Sequence, residues 1–325
     1  MIGTLGLRVA AIRAEARDVM ALELRSADGA PLPAFQPGAH LEIELPPERA
    51  GLPALVRRYS ICNDCAEADR YLIAVGLDAA SRGGSRAVHS RLRVDALVRA
   101  RVPRNHFALV PNADCYRFVA GGIGITPILS MIRWCEANGR AWSLLYCTRS
   151  RLRTAFLEDL QRFGDRVSFH FADEHQGRRA DLVAALSAPR PDEHLYCCGP
   201  APLMWAAERT SSDWPAAQVH FEWFAAPDET PADPSAARAF DVVLRRSGTR
   251  LRVEANASIL ETLEQHGVGV PFSCREGLCR TCETGLCAGE ADHRDTVLSE
   301  AERAAQSSLM VCVSRAHSAV LELDL

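Results

Sequence analysis

A chain of 325 residues, 48% hydrophobic and 24% charged, exceeds what one hydrophobic core usually organises, so two or three globular domains are expected. A net charge of −4 excludes a general nucleic-acid binder, which needs a basic face to neutralise phosphates. No apolar run is long enough to cross a bilayer, and "MIGTLGLRVAAIRAEARD" carries charges where a secretion signal needs an apolar core, so a cytoplasmic protein away from membranes is expected, acting as a monomer.

Twelve cysteines in a reducing compartment do not make a disulfide framework. All 37 basic residues are arginine, which reports coding bias more than function. Residues 239–325 hold nine of them against thirteen Asp and Glu, so the C-terminal part carries the whole acidic excess.

In the first third, "HLEIELP" and "RYLIAVGL" alternate apolar and polar residues between Gly, Pro and Asp turns, which predicts a small antiparallel β-barrel. Within it "RRYSICN" offers a cation, an aromatic ring and a hydroxyl able to stack on a flat ring and bond its edge. Further on, "SRGGSRAVH" places Arg82 and Ser85 around Gly83-Gly84, a helix start able to hold a phosphate. The bland reading of these arginines is a solvated surface.

After the prolines of "VPRNHFALVPNADC", the runs "YRFVA", "WSLLYC", "VSFHFA" and "HLYCC" alternate with helical stretches, the pattern of a parallel sheet with crossover helices. "FVAGGIGITPILSMIRWCEANG" reads as strand, glycine turn and helix, with Thr126 as N-cap and Pro127 at the first helical position. A pyrophosphate fits such a helix start, although a tight turn with no ligand has the same sequence. The motif is not G-x-G-x-x-G, and no acid ends the second strand, which runs into Thr148, Arg149 and Ser150. A second turn at Cys198-Gly199-Pro200 would join the same cleft, with Cys197 or Cys198 facing it or packed as a buried thiol.

"AAPDETPADPSAAR" reads as a linker. Beyond it, "FDVVLRRSGTRLRVEA" predicts a hairpin at Ser247-Gly248, and "SILETLEQHG" a helix with Ser258 and Glu261 as a capping box and Gly267 as its stop. Next, Cys274, Cys279 and Cys282 are spaced C-x4-C-x2-C, and Cys312 stands alone downstream. That is the plant-type arrangement for a 2Fe-2S cluster, whereas structural zinc sites use two close pairs. Cys287 falls outside the pattern and is expected to be a small buried residue. Amides around Gly277 would face the sulfurs. Arg275 and Arg280 are either surface charges or groups that tune the cluster and meet a partner.

Taken together, "RRYS", "GGS", "GGIGITP", "YCCGP", "FEWF" and the cysteine spacing resemble the phthalate dioxygenase reductase family, which includes vanillate demethylase reductases, in the family's order over essentially the whole chain. The resemblance implies an FMN-binding β-barrel at residues 1–108, an NADH-binding α/β domain at 109–225, a linker at 226–238 and a β-grasp plant-type ferredoxin domain at 239–325. It implies that Arg57, Tyr59, Ser60, Ala74 and Val75 line the flavin and that Arg82, Gly83, Gly84 and Ser85 hold its phosphate. Phe224 would lie against the flavin with Glu222 near it, and Ser60 would bond N5. Gly121, Gly122, Gly124, Thr126, Pro127, Cys198, Gly199 and Pro200 would serve the pyridine nucleotide, with Ser60, Cys198 and Glu222 at the hydride transfer. Two residues depart from the pattern: Gly76 stands where relatives often carry a lysine, and Arg58 replaces a smaller residue.

The implied activity is transfer of electrons from NADH through FMN and a 2Fe-2S cluster to a separate Rieske-type terminal oxygenase, on which the acidic domain would dock. The alternative is a stand-alone NADH-flavin oxidoreductase with another acceptor. A non-enzymatic zinc-holding module is the rival from a different class. Arg149, Arg151 and Arg153 leave NADPH open, while the resemblance favours NADH.

Overall fold

The computed structural model describes residues 3–45, 55–78, 83–224, 238–272, 275–278 and 280–325. The chain forms two compact units, residues 1–222 and 223–325.

The first unit begins with the antiparallel strands β1 (Thr4–Ala16), β2 (Val19–Ser26), β3 (His40–Leu45), β4 (Leu55–Ser60), β5 (Tyr71–Gly76) and β6 (Leu97–Arg101), ordered β4-β3-β6-β1-β2-β5. Its two edges are joined by an Ile61–Ile73 bridge and by the Cys62 amide donating to the Leu72 carbonyl at 2.7 Å, so the sheet closes into a barrel and hides its edges. The alternation seen in "HLEIEL" puts Leu41, Ile43 and Leu45 inside with Leu7, Val9, Leu22 and Leu24. A short helix α1 (Gly84–Arg91) follows β5.

The alternation expected of "RYLIAVGL" does not hold: β5 is buried on both faces from Tyr71 to Val75, for a reason. Tyr71, Ile73 and Val75 fill the barrel, while Leu72 and Ala74 join Ala21 and Cys62 in a second core that belongs to the next subdomain. That core is built on a parallel sheet of β7 (Cys115–Gly121), β8 (Ala141–Thr148), β9 (Val167–Phe171), β10 (Glu193–Cys198) and β11 (Val219–Glu222), ordered β11-β10-β7-β8-β9. Helices α2 (Ile125–Ala137), α3 (Leu157–Gln161), α4 (Leu182–Leu186) and α5 (Ala201–Thr210) make the connections. Every strand points the same way, so the carboxyl ends of β7, β8, β10 and β11 gather along one edge.

The second unit has a mixed sheet of β12 (Phe240–Leu244), β13 (Arg250–Val253), β14 (Glu283–Ala288), β16 (Ser308–Met310) and β18 (Val320–Leu323), ordered β13-β12-β18-β14-β16, in which only β12 and β18 run parallel. β15 (Ala291–Asp292) and β17 (Arg315–Ala316) form a separate pair. Helix α6 (Ile259–Gln265) buries Ile259, Leu260 and Leu263 in the core, and α7 (Glu300–Ala305) precedes β16. Both helices start with a reciprocal capping box, Ser258/Glu261 and Ser299/Glu302, and Gly267 follows α6 with φ +74° as its expected stop. The hairpin turns at Gly248, φ +69°. Apart from Arg238, the expected linker 226–238 lies outside the described residues. Among the described residues no helix is long and apolar enough to cross a membrane.

Candidate active site and iron-sulfur loop

The glycines of the β7 turn do different jobs. A methyl group on Gly121 would meet Leu203 and Pro200 at 2.6 Å, one on Gly124 would meet the Cys198 carbonyl oxygen at 2.3 Å, and one on Gly199 would meet the Gly121 backbone at 3.0 Å. Gly121, Gly124 and Gly199 therefore let the β7 and β10 turns interlock backbone to backbone. Gly122 is different: its φ is +52° and nothing lies within 4 Å of where a side chain would start, so this residue gives a ligand room. The Tyr146 hydroxyl, from β8, donates to the Gly122 carbonyl at 3.0 Å and fixes the turn. Nothing in the sequence around Tyr146 marks it for this role.

The helix start also differs from expectation. A 3-10 turn spans Gly122–Gly124, Gly124 is the N-cap, and Thr126 and Pro127 lie inside α2's first turn. Thr126 caps nothing; its hydroxyl donates to the Ile123 carbonyl at 2.9 Å. The turn prevails over the Thr-Pro signal because its glycines allow the tight 3-10 geometry to begin earlier. β10 runs through Pro200, the N-cap of α5, into a cleft edge shared with the first turn.

A cleft of about 470 Å³ opens between Gly76 and Leu77 of the barrel and Gly122, Ile123, Thr148 and Arg149 of the sheet. Of the three arginines after β8, Arg151 is paired with Glu174 at 2.5 Å and Arg153 with Asp18 at 2.6 Å.

On β4, successive side chains face opposite ways. Arg57 crosses to the N-terminus of α1, where a methyl group on Gly84 would meet its side chain at 2.7 Å. Gly83 is the helix N-cap with φ +90°, and the Ser85 hydroxyl accepts from the Asp78 amide at 3.2 Å. Arg82 lies outside the described residues. Tyr59 packs against the barrel core, its hydroxyl buried without a partner and its pKa driven up by burial. Ser60 is buried at the end of the strand. Ala74 and Val75 are buried too, and the Val75 carbonyl is engaged by His89 Nε2 at 2.9 Å.

Glu222 ends β11 directly opposite Cys198 in the β10–β11 register. Burial pushes its carboxyl up to about 8, with Arg58 acting in the other direction, and Oε2 has no hydrogen-bond partner. Burial and the neighbouring Glu222 raise the Cys198 thiol as well. Cys197 points the other way, its sulfur 3.7 Å from Met204 Sδ of α5, which separates the packing thiol from the one beside the carboxylate. Arg58, noted in the sequence only as a departure, is thus the cation beside Glu222. Phe224 belongs to the second unit and is 41% exposed.

In the second unit, Cys282 and Cys312 are buried, and the Gly277 amide donates to Cys312 Sγ at 3.3 Å. A side chain on Gly277 would strike Val313 at 2.7 Å and Asp295 at 2.9 Å, and its φ is +67°. Cys274 and Cys279 lie outside the described residues. Dry thiols with an amide aimed at sulfur suit a cluster that gains negative charge on reduction. Cys287 sits in β14 half-buried, not buried.

Two family models match: the 2Fe-2S iron-sulfur cluster binding domain at residues 242–317 and the oxidoreductase NAD-binding domain at 118–209. The chain is 42% identical over 326 residues to phthalate dioxygenase reductase of Burkholderia cepacia, covering 99% of this chain and 98% of that one. The chain belongs to the phthalate dioxygenase reductase family. Another relative, tetrachlorobenzoquinone reductase of Sphingobium chlorophenolicum, is 40% identical over 330 residues, covering 100% and 99%. The solved structure of phthalate dioxygenase reductase, a modular structure for electron transfer from pyridine nucleotides to [2Fe-2S], aligns with TM-score 0.73 and 41% identity over 99% of this chain and 98% of that one. An intact type IV self-sufficient cytochrome P450 monooxygenase aligns with TM-score 0.88 and 38% identity, and there this chain spans 41% of the longer one. Membership in the phthalate dioxygenase reductase family accounts for the three-part architecture and for a nucleotide site and a cluster site in one chain.

Proposed function

We propose that the protein is the reductase component of a multicomponent Rieske-type oxygenase system, a cytoplasmic monomer that passes electrons from NADH through FMN and a 2Fe-2S cluster to a separate oxygenase. The observation that carries this reading is the union, in one chain, of glycine turns interlocked at Cys198, beside Glu222, with a loop whose Gly277 amide is bonded to a buried cysteine sulfur. When bound, FMN accepts two electrons as hydride and releases them singly, which the one-electron cluster requires.

The residues have simpler tasks. Gly122 leaves backbone room for the nucleotide's diphosphate at the start of α2. Arg57, Gly83, Gly84 and Ser85 surround the start of α1 and suit the flavin phosphate. The unpartnered Tyr59 hydroxyl and buried Ser60 suit the flavin's polar edge, and the buried Cys198 beside Glu222 would lie at the nicotinamide end of the nucleotide. Glu174 and Asp18 already engage Arg151 and Arg153, so of the three arginines Arg149 at the cleft is the main cation left to meet a 2′-phosphate, and the weaker claim on that phosphate agrees with NADH. Cys274, Cys279, Cys282 and Cys312 would hold the cluster.

Cys312→Ser tests the electron exit. The variant should lose its visible cluster absorbance and most NADH-driven reduction of cytochrome c and of a Rieske-type oxygenase, while keeping ferricyanide reduction. A full cytochrome c rate would remove the cluster from the route. The tetrachlorobenzoquinone reductase relative favours one second reading, a reductase of quinone-like acceptors; quinone reduction by Cys312→Ser at full rate with no oxygenase coupling in the wild type would select it.

A further inference from the structure

We propose that Arg280 is a positioning residue for the iron-sulfur cluster: paired with Glu302, it clamps the ligand loop to helix α7 and sets the local charge that the cluster feels. The inference rests on the four-cysteine cluster reading.

Among the described residues of the loop, three have left-handed backbone: Arg275 at φ +61°, Gly277 at +67° and Arg280 at +52°. Glycine enters that region freely, while a residue with a Cβ is disfavoured there. Gly277 follows this rule and also has no room for a side chain. Arg280 breaks it, between the ligand positions Cys279 and Cys282, so its side chain must return something that glycine cannot.

Its contacts show what that is. One guanidinium nitrogen, Nη2, donates to both Glu302 carboxylate oxygens, at 2.9 and 2.7 Å, and to the Val297 carbonyl at 2.8 Å; Nη1 lies 3.5 Å from Glu283. Glu302 is simultaneously the capping residue of α7, accepting from the Ser299 amide at 2.8 Å. The loop between the ligands is thereby tied to the start of a helix and to the turn at Asp295–Leu298. That turn is itself anchored to the loop, because the Thr296 amide donates to the Gly277 carbonyl at 3.2 Å. Arg275 makes a parallel tie on the other side, stacking on Phe272 at 4.1 Å and pairing with Glu264 of α6 at 2.6 Å. Both arginines are thereby tied to flanking helices, Arg275 to α6 through Glu264 and Arg280 to α7 through Glu302. Arg280 is consequently engaged inside its own domain.

Arg280 and Glu302 act on the cluster with opposite signs. A cation near the cluster favours the reduced, more negative form, and an anion disfavours it. Removing Arg280 should lower the reduction potential, removing the Glu302 charge should raise it, and removing both should return it toward the wild-type value.

The test uses the full-length holoprotein with Arg280→Gly, Glu302→Gln and the double variant. Glycine suits the backbone at position 280, so this substitution relieves strain while deleting the clamp. EPR-monitored redox titration reads the potential, and bleaching of the visible spectrum under a chelator reads cluster retention. Expected are shifts of opposite sign in the single variants, their near cancellation in the double variant, and cluster loss about two- to five-fold faster in each single variant, as befits one partly exposed ion pair. Potentials unmoved by either change, or moved in the same direction by both, would overturn the proposal, as would wild-type retention in Arg280→Gly. If one single variant failed to assemble, the sign of the other's shift would still decide. A wild-type protein with no EPR-active cluster would instead refute the cluster reading itself.

Discussion

Gly124→Ala separates the two roles assigned to the glycines of the β7 turn. Gly124 has φ −62° and ψ −5°, a conformation alanine adopts without strain, so any effect must come from the added methyl group. That carbon would lie 2.3 Å from the Cys198 carbonyl oxygen, 2.5 Å from its carbon and 2.7 Å from the Gly199 nitrogen. Ordinary contact begins near 3.4 Å, so the turns carrying Gly124 and Cys198 must part by about 1 Å. All three neighbours are backbone atoms, and none can rotate away as a side-chain tip could. Forced overpacking of this kind costs about 1–3 kcal/mol of stability. Its kinetic effect should be of similar size, since a 1 Å misplacement of reacting groups can cost about 100-fold, or about 2.7 kcal/mol. Anaerobic stopped-flow mixing with saturating NADH measures the limiting rate of flavin reduction, and a thermal melt of the same sample measures the stability loss. Gly122→Ala is the comparison: open space surrounds it, its positive φ costs about 1–2 kcal/mol, and its kinetic effect should fall mainly on the KM for NADH. A Gly124→Ala protein that reduces its flavin within a few-fold of the wild-type limiting rate would refute the interlocked-turn argument.

Two further outcomes follow from the charges. The Glu222 carboxyl has a folded pKa of about 8 against an ordinary 4.5, so the folded protein keeps a proton that the unfolded chain releases over that interval. The stability linked to that proton is complete below about pH 4.5 and is lost as pH rises toward 8; Glu222→Gln should flatten this slope in melts between pH 5 and 9, by a few kcal/mol in all, and parallel profiles would contradict it. Freeing Arg153 with Asp18→Asn or Arg151 with Glu174→Gln should raise the NADPH to NADH ratio of kcat/KM by about two- to five-fold each, the scale of an exposed ion pair, and an unchanged ratio would place the 2′-position elsewhere.

Local rules carried the reading a long way, and they failed wherever the deciding atom came from a distant part of the chain. Alternation of period two disclosed the barrel, short apolar runs the parallel sheet, and Ser258 with Glu261 the start of α6, because each signal is complete within a few residues. The glycines of "GGIGITP" look interchangeable in sequence. Only the approach of the turn from Cys198 to Leu203, some seventy positions on, divides Gly121 and Gly124, which that turn requires, from Gly122, which a ligand can use. The arginines after β8 likewise look available for a 2′-phosphate until Asp18 arrives from the β1–β2 turn and Glu174 from beyond β9. The double burial of β5 hid a related fact. A strand apolar on both faces marks a surface that another layer must cover, and here the layer is the nucleotide sheet, which shares Ala21, Cys62, Leu72 and Ala74 with the barrel. A hydride donor and its acceptor must be held within a fraction of an ångström, and a common core supplies that rigidity in a way that two domains on a flexible tether would not. The cluster domain needs only single-electron transfer and forms a separate compact unit beginning at Trp223.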